Sequence, residues 1–376
     1  MIRRPPRSTH CISSAASDVY KRQVYAFIWN QFNLGLLNAY TPLIWVLAFV
    51  LYDLSYYWLH RCHHEIKFLW ASHVVHHHGE EFNLSTALRQ TGTDFIFKWV
   101  FYTPMLFLGV PPEIFVTVAA LNLIYQFWVH TEHIDRLGIL DYIFVTPSNH
   151  RIHHAQNKEY IDANYGGVFI IWDILFGTFK DEKKELKPDY GTSKPLKSWN
   201  PFWANFEVWT EIFKDTWRTK SWKDKFKVWI SRPKWRPKDV SEKYPIQKND
   251  LKEFKKYDPN VTLFAKIFGF GQLVFGSFYS QAFFFNASSM GSTEIFLIGV
   301  NVTMILVFAS LLFEGKAFGY RLEVVRAALV LFAIYFGQFE FMQLTVLIHA
   351  LICGVLAGYM TINNKPAEFN EARSES

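Results

Sequence analysis

Between His60 and His78 runs HRCHHEIKFLWASHVVHHH, which holds seven of the chain's 14 histidines within 19 residues. Five more stand between positions 130 and 154, at His130, His133, His150, His153 and His154. His60 and His64 are spaced i, i+4. His73, His76 and His77 are spaced i, i+3, i+4, and so are His150, His153 and His154. Such separations share one face of a helix, so the spacing predicts that each cluster aims two or three imidazoles at one point. Neutral imidazole suits iron, copper, nickel and zinc. A structural zinc is satisfied by four ligands, whereas His60, His64, His73, His76, His77, His130, His150, His153 and His154 supply nine. That surplus points to two metals sharing one site. His64-Glu65 is followed by Ile66-Lys67-Phe68, so the HExxH of zinc proteases is absent. Two redox metals beside a bilayer suit oxygen activation and attack on an unreactive lipid C–H bond. Zinc lacks the redox chemistry for that.

The elements that must carry these residues read as membrane helices. Half of the 376 residues are hydrophobic and 18% are aromatic, a composition natural to a polytopic, all-α membrane protein. A spanning helix takes about 20 mostly apolar residues. Pro42 to Leu59 is one candidate, with Asp53 its only charge. Phe95 to Val129 is a second, interrupted by Gly109-Val110-Pro111-Pro112, and reads as two helices hinged in the membrane. A hairpin returns the chain to the side it left, so His60 and His130 fall on one face. Val261–Phe285, Ile295–Phe313 and Val324–Met360 hold three or four more spans. Asp53 is an acid inside a span and therefore a functional candidate, expected to hydrogen-bond a ligand histidine.

Residues 1–23 are basic, serine-rich and unlike the rest of the chain. They read as non-native or disordered leader, such as translated vector sequence ahead of a truncated frame. The hydroxylase-type domain with its histidine clusters is expected over 24–180 and C-terminal transmembrane helices over 261–361, with a disordered tail over 362–376. Residues 181–260 carry 20 Lys and Arg against 13 Asp and Glu, and seven of the 14 tryptophans. Mixed Trp and Lys is the composition of a headgroup-level layer, and the positive balance places it in the cytoplasm. No recognition module accompanies the basic residues, so nucleic acid is not an expected partner. Cys11, Cys62 and Cys353 form no disulfide or CxxC pattern.

HRCHH, HVVHH and HRIHH resemble the histidine boxes of the integral-membrane fatty acid hydroxylase and sterol desaturase superfamily. YDLSYYWLHRCHHE, LWASHVVHHHGEEFNLSTALRQT, YQFWVHTEH, TPSNHRIHH and NYGGVFIIWDILFGTF are similar to its alkylglycerol monooxygenases and their bacterial relatives. The resemblance covers roughly residues 50–180. It implies a non-haem di-iron monooxygenase with two iron ions on the cytoplasmic side. By motif, the ligands carried over are His60, His64, His73, His76, His77, His150, His153 and His154, with His130 a further one. HTEH is one residue short of the superfamily's HxxxH, which leaves His133 open. Glu65 matches a glutamate implicated in tetrahydrobiopterin use in alkylglycerol monooxygenases, and a carboxylate there is also placed to orient a ligand imidazole. Asn164 of NYGG is a candidate partner of a ligand histidine, or part of a turn built on Gly166-Gly167. His63 and His78 read as neighbours of ligands or solvent-exposed.

The implied reaction hydroxylates the carbon next to the ether oxygen of an alkylglycerol, with O2 and a lipid as substrates. The chain has no GxGxxG after a strand and no HPGG of a fused cytochrome b5, so electrons come from an external donor, a pterin or a redox protein. The implied location is the endoplasmic reticulum in a eukaryote or the cytoplasmic membrane in a bacterium. A sterol desaturase or a fatty-acid or carotenoid hydroxylase would carry the same boxes. A metal transporter would hold its histidines at mid-membrane, whereas these follow the ends of spans. A non-catalytic scaffold would be expected to lose ligands first.

Overall fold

The computed structural model describes residues 25–37, 40–94 and 97–363. The 1–23 leader and positions 364–376 of the tail lie outside them, as do the first two positions of the 95–129 hairpin. Among the described residues the chain is all-helical, with no strand and only two isolated bridges, Phe144 to Phe169 and Ala155 to Tyr190. It divides into two compact units. One holds the residues up to Leu196 together with Ala204–Lys256, and the other holds Lys197–Trp203 together with the chain from Tyr257 onward.

In the first unit, a helical stretch over 25–32 (α1) precedes α2, Pro42–Glu65. Thr41 caps α2 through its side chain, Pro42 occupies the first turn, and Ile66 turns extended to end it. The helix therefore runs on past Leu59 and carries His60 and His64 on its own continuous backbone. Three short helices come next: α3, Lys67–Ala71; α4, Val74–His77; and α5, Leu84–Ala87. The hinged pair is α6, Lys98–Leu108, and α7, Pro112–Trp128. Gly109 ends α6 at φ 94°, and a Cβ there would lie 3.2 Å from the Gly35 backbone. Pro112 then opens α7. At 1.5 Å per residue, the 11 residues of α6 reach only about 16 Å. Ile44, Ala48, Tyr52 and Leu59 of α2 pack against Tyr102, Met105 and Leu106 of α6 and Ile114, Phe115 and Val118 of α7.

Thr146 and Asn149 cap each other's backbone at the start of α8, Pro147–His153. α9, Ile171–Leu175, comes after a tight loop. The basic segment forms α10, Pro201–Arg218, α11, Trp222–Ile230, and α12, Lys238–Lys243. Within the first unit, Val208, Ile212 and Val228 of α10 and α11 bury against Ala71 and Val74.

The second unit is built on α13, Leu263–Asn286, α14, Ser292–Phe313, α15, Phe318–Tyr335, and α16, Gln343–Asn363. Among the described residues α2, α14 and α16 are long and apolar enough to cross a membrane. The chain is a membrane protein. Inside the α13–α16 bundle, Arg326 forks onto Glu323 (2.5 and 2.9 Å) and donates to Asn301 (2.7 Å). Gln272 donates to Glu323 (3.0 Å) and accepts from His349 (3.1 Å). Removing one partner of a buried pair strands the other charge. Glu323→Ala is therefore expected to destabilise this bundle by roughly 3–5 kcal/mol, measured as denaturant unfolding in detergent; an unchanged midpoint would show that Arg326 is satisfied without its partner.

Candidate metal centre

The nine histidines form two clusters. Ligand nitrogens of His60, His64, His73, His77 and His153 all lie within 4.8 Å of one another, and so do those of His76, His130, His150 and His154. In the first cluster His73 Nε2 is 3.0 Å from both His60 Nε2 and His77 Nε2. In the second, His130 Nε2 is 3.2 Å from His76 Nε2 and 2.9 Å from His150 Nε2, and His154 Nε2 is 3.1 Å from His150 Nε2. His130, at the end of the returning hairpin, thus meets a histidine carried just beyond the end of α2.

The clusters do not follow the boxes. Each i, i+4 pair stays together, His60 with His64, His73 with His77 and His150 with His154, and it is the i+3 members that cross over. His73 and His77 enter the first cluster while His76 enters the second, and His153 enters the first while His150 and His154 enter the second. The reason is helix geometry: at about 3.6 residues per turn the neighbours His76 and His77 on α4, and His153 and His154 at the end of α8, point about 100° apart. A single turn fans its side chains towards two points instead of stacking them on one face.

Backbone carbonyls set the ring tautomers. His60 Nδ1 donates to Tyr165 O (2.8 Å), His153 Nδ1 to Ala163 O (3.0 Å) and His130 Nδ1 to Gln126 O (2.8 Å). A carbonyl only accepts, so the proton sits on Nδ1 and the Nε2 lone pair faces the cluster. His64 Nε2 and His153 Nε2 are buried without a hydrogen-bond partner. Burial, reinforced by the neighbouring imidazoles, holds His73, His76, His77, His150 and His154 far below the usual histidine range. His130 and His153 are pushed down to about 4, chiefly by burial. Metal–imidazole bonds of about 2.1 Å place adjacent ligand atoms about 3 Å apart and opposed ones about 4.2 Å apart. Converging neutral lone pairs at 2.9 to 3.2 Å fit that geometry, so the donor sets suit one cation each.

Asp53 differs from expectation. It touches no histidine and instead accepts from Val168 N (2.8 Å), Phe169 N (3.0 Å), Trp172 Nε1 (2.9 Å) and Asn122 Nδ2 (2.7 Å). Its effect on the ligands passes through the loop it holds. Asp173, which the sequence did not single out, accepts from Tyr165 N (2.7 Å) and Gly166 N (2.8 Å) in the same loop. Burial raises its pKa to about 6. A Cβ on Gly166 would lie 2.6 Å from Phe169 O, and one on Gly167 would lie 2.8 Å from Asp53 Oδ1, so only glycine lets the two carboxylates approach. Asn164 sits at φ 57°, donates to Asn149 O and Lys180 O and accepts from Lys180 N, tying the loop to α8.

Glu65 pairs with Arg61 (3.1 Å) and belongs to neither cluster. His133 is exposed and also outside both. His63 and His78 are buried, not solvated: His63 stacks on His73, and His78 lies 3.9 Å from Glu207. Arg151 was also missed. Buried between His150 and His153, it donates to Thr131 O and Ile134 O and forks onto Glu182, fixing the His130 turn against α8. A charged residue inside a run of buried ligands, HRIHH, is the signal that marks it. Phe82 caps the second cluster, its ring 5.3 Å from that of His154 and stacked on Tyr190.

Residues 45–178 match the model of the fatty acid hydroxylase family. The chain is 36% identical over 310 residues to an alkylglycerol monooxygenase of Xenopus tropicalis, covering 82% of this chain and 69% of the relative. The chain belongs to the fatty acid hydroxylase family. It is also 33% identical over 320 residues to an alkylglycerol monooxygenase of Homo sapiens (84% and 71% covered), and 41% identical over 213 residues to one of Danio rerio (57% and 47%). No solved structure matches the chain. As a member of the family it is an oxygen-dependent oxidoreductase of the membrane, a lipid hydroxylase or monooxygenase.

Asp173→Asn keeps the shape but leaves one buried N–H of Tyr165 or Gly166 without an acceptor, at a cost of roughly 1–3 kcal/mol. The variant is expected to melt earlier and to retain less metal, read by differential scanning fluorimetry and elemental analysis. Unchanged melting and metal content would show that the loop stands without this carboxylate.

Proposed function

We propose that the two clusters hold two iron ions and that the chain hydroxylates the carbon next to the ether oxygen of alkylglycerols. The observation that carries this reading is the pair of largely buried all-imidazole donor sets, five and four strong, with lone pairs already converged. Likeness to alkylglycerol monooxygenases over more than four-fifths of the chain supports the substrate class. Iron bound there would supply the oxygen activation that zinc does not offer.

The net conversion puts one atom of O2 into the C–H bond and the other into water, with two electrons and two protons from an external donor. The hemiacetal formed then collapses: its hydroxyl proton passes to the departing oxygen, the C–O bond breaks, and an aldehyde and a glycerol are released. The chain's part is positional. Asp53, Asp173 and Asn164 hold the loop whose carbonyls orient His60 and His153, and the burial of both clusters keeps bulk water away. Tetrahydrobiopterin is the donor proposed here, with Glu65, one residue past His64 and partly exposed, as its contact on the chain. The site is assigned to the cytoplasmic side, by the basic excess of 181–260, of the endoplasmic reticulum in a eukaryote or of the cytoplasmic membrane in a bacterium.

The test is purified protein analysed for iron and zinc and assayed for ether-lipid cleavage with and without reduced pterin. Two irons per chain and pterin-dependent aldehyde release are expected, and metal-free protein inert towards every lipid class would overturn the reading. His76→Ala should abolish turnover and lower the iron content to about one per chain, whereas His78→Ala should keep most of both. Equal loss from the two variants would show that the wrong imidazoles have been assigned.

A further inference from the structure

Helices α10 and α11 bury one face and leave the other open. Their buried sides, Val208, Ile212 and Val228, pack on α3 and α4. The backbone N–H of Lys67, two residues past the end of α2, donates to Ser231 O (2.8 Å) just beyond α11. The pair is therefore fixed at the level where the first candidate span ends. On the opposite side stand Phe213 (60% exposed), Trp217 (87%), Trp222 (74%), Phe226 (72%) and Ile230 (68%). Phe213 and Trp217 are i, i+4 on α10, and Trp222, Phe226 and Ile230 are i, i+4, i+8 on α11. Each set is a narrow stripe along one side of its helix. Contiguous exposed aromatic stripes are rare on surfaces that face only water.

The fully exposed charges that flank the stripes are of one sign. Every exposed charged side chain between 204 and 230 is basic: Lys214, Arg218, Lys220, Lys223 and Lys227. Asp224 is half-buried in the first turn of α11, and the other acids are engaged. Asp215 is buried in a bidentate pair with Arg236, and Glu207 and Glu211 are both engaged by Lys194. A surface of exposed Trp and Phe whose exposed charges are all Lys and Arg complements an anionic lipid interface, with the rings among the acyl chains and the cations at the phosphates.

We infer that α10 and α11 lie in the headgroup layer of an anionic bilayer and seat the Phe213/Trp217 and Trp222/Phe226/Ile230 stripes among its acyl chains. This holds whichever lipid the histidine clusters act on. It also anchors α3 and α4, and with them His73, His76 and His77, to the membrane surface through the Ala71, Val74 and Val228 contact.

The test uses the full chain in proteoliposomes. An environment-sensitive fluorophore is attached at Phe226→Cys, at Trp217→Cys and, as reference, at exposed Lys238→Cys on α12, with the unsubstituted chain reporting background from Cys11, Cys62 and Cys353. Vesicles are phosphatidylcholine alone, or phosphatidylcholine with 30% phosphatidylserine, each with and without brominated acyl chains. The expected result is blue-shifted emission at 217 and 226, quenched at least twofold more by brominated lipid than at 238, and more strongly with phosphatidylserine. Emission at 217 and 226 as red and as weakly quenched as at 238 would overturn the inference. So would a blue shift that vanishes on diluting the protein in lipid, since that marks contact with a second copy. Trp217→Cys and Phe226→Cys report separately, so misfolding of one variant leaves the other decisive.

Discussion

Nine neutral imidazoles cannot be buried together with their lone pairs converging unless something positive answers them or something rigid holds them there. That constraint organises the first unit. Protonation would relieve it only by placing several cations within a few ångströms, and burial already pushes each ring away from its charged form. The nitrogens therefore remain ligands in waiting, and the surrounding chain supplies the rigidity.

That rigidity is not evenly built. His130 takes its tautomer from its own helix, through Gln126 O, four residues back. His60 and His153 take theirs from carbonyls of Ala163 and Tyr165, in a loop that has no secondary structure to define it. Two buried carboxylates substitute for that structure, Asp53 reaching from α2 and Asp173 from α9, with two glycines admitting them. The five-histidine cluster thus depends on a loop about 100 residues beyond α2 in sequence, while the four-histidine cluster leans on α7, α8 and the Arg151 clamp.

Much of this was legible in the sequence, and the exceptions have identifiable causes. The nine histidines, the hinge at Gly109–Pro112 and the all-helical class followed from spacing, proline position and composition. The i, i+4 rule held for all three pairs, His60 with His64, His73 with His77 and His150 with His154. The i, i+3 spacing misassigned His76 and His153, because each points about 100° away from its neighbour, His77 or His154, around the helix. Asp53 was recognisable as significant, since an acid in an apolar helix needs partners. Three of those partners, Val168, Phe169 and Trp172, lie over 110 residues away and the fourth, Asn122, 69 away, and no local pattern joins them. Asp173 sits in IIWDIL, where its role comes wholly from tertiary contact.

The central claim is that two irons are held by imidazole alone, in unequal shares. Iron K-edge X-ray absorption of the purified chain, with metal content counted on the same sample, addresses it most directly. The account predicts two irons per chain, each with a nitrogen-dominated shell whose multiple scattering fits between four and five imidazoles per iron on average. A single metal per chain, or a shell built mainly from sulfur or carboxylate oxygen, would contradict it.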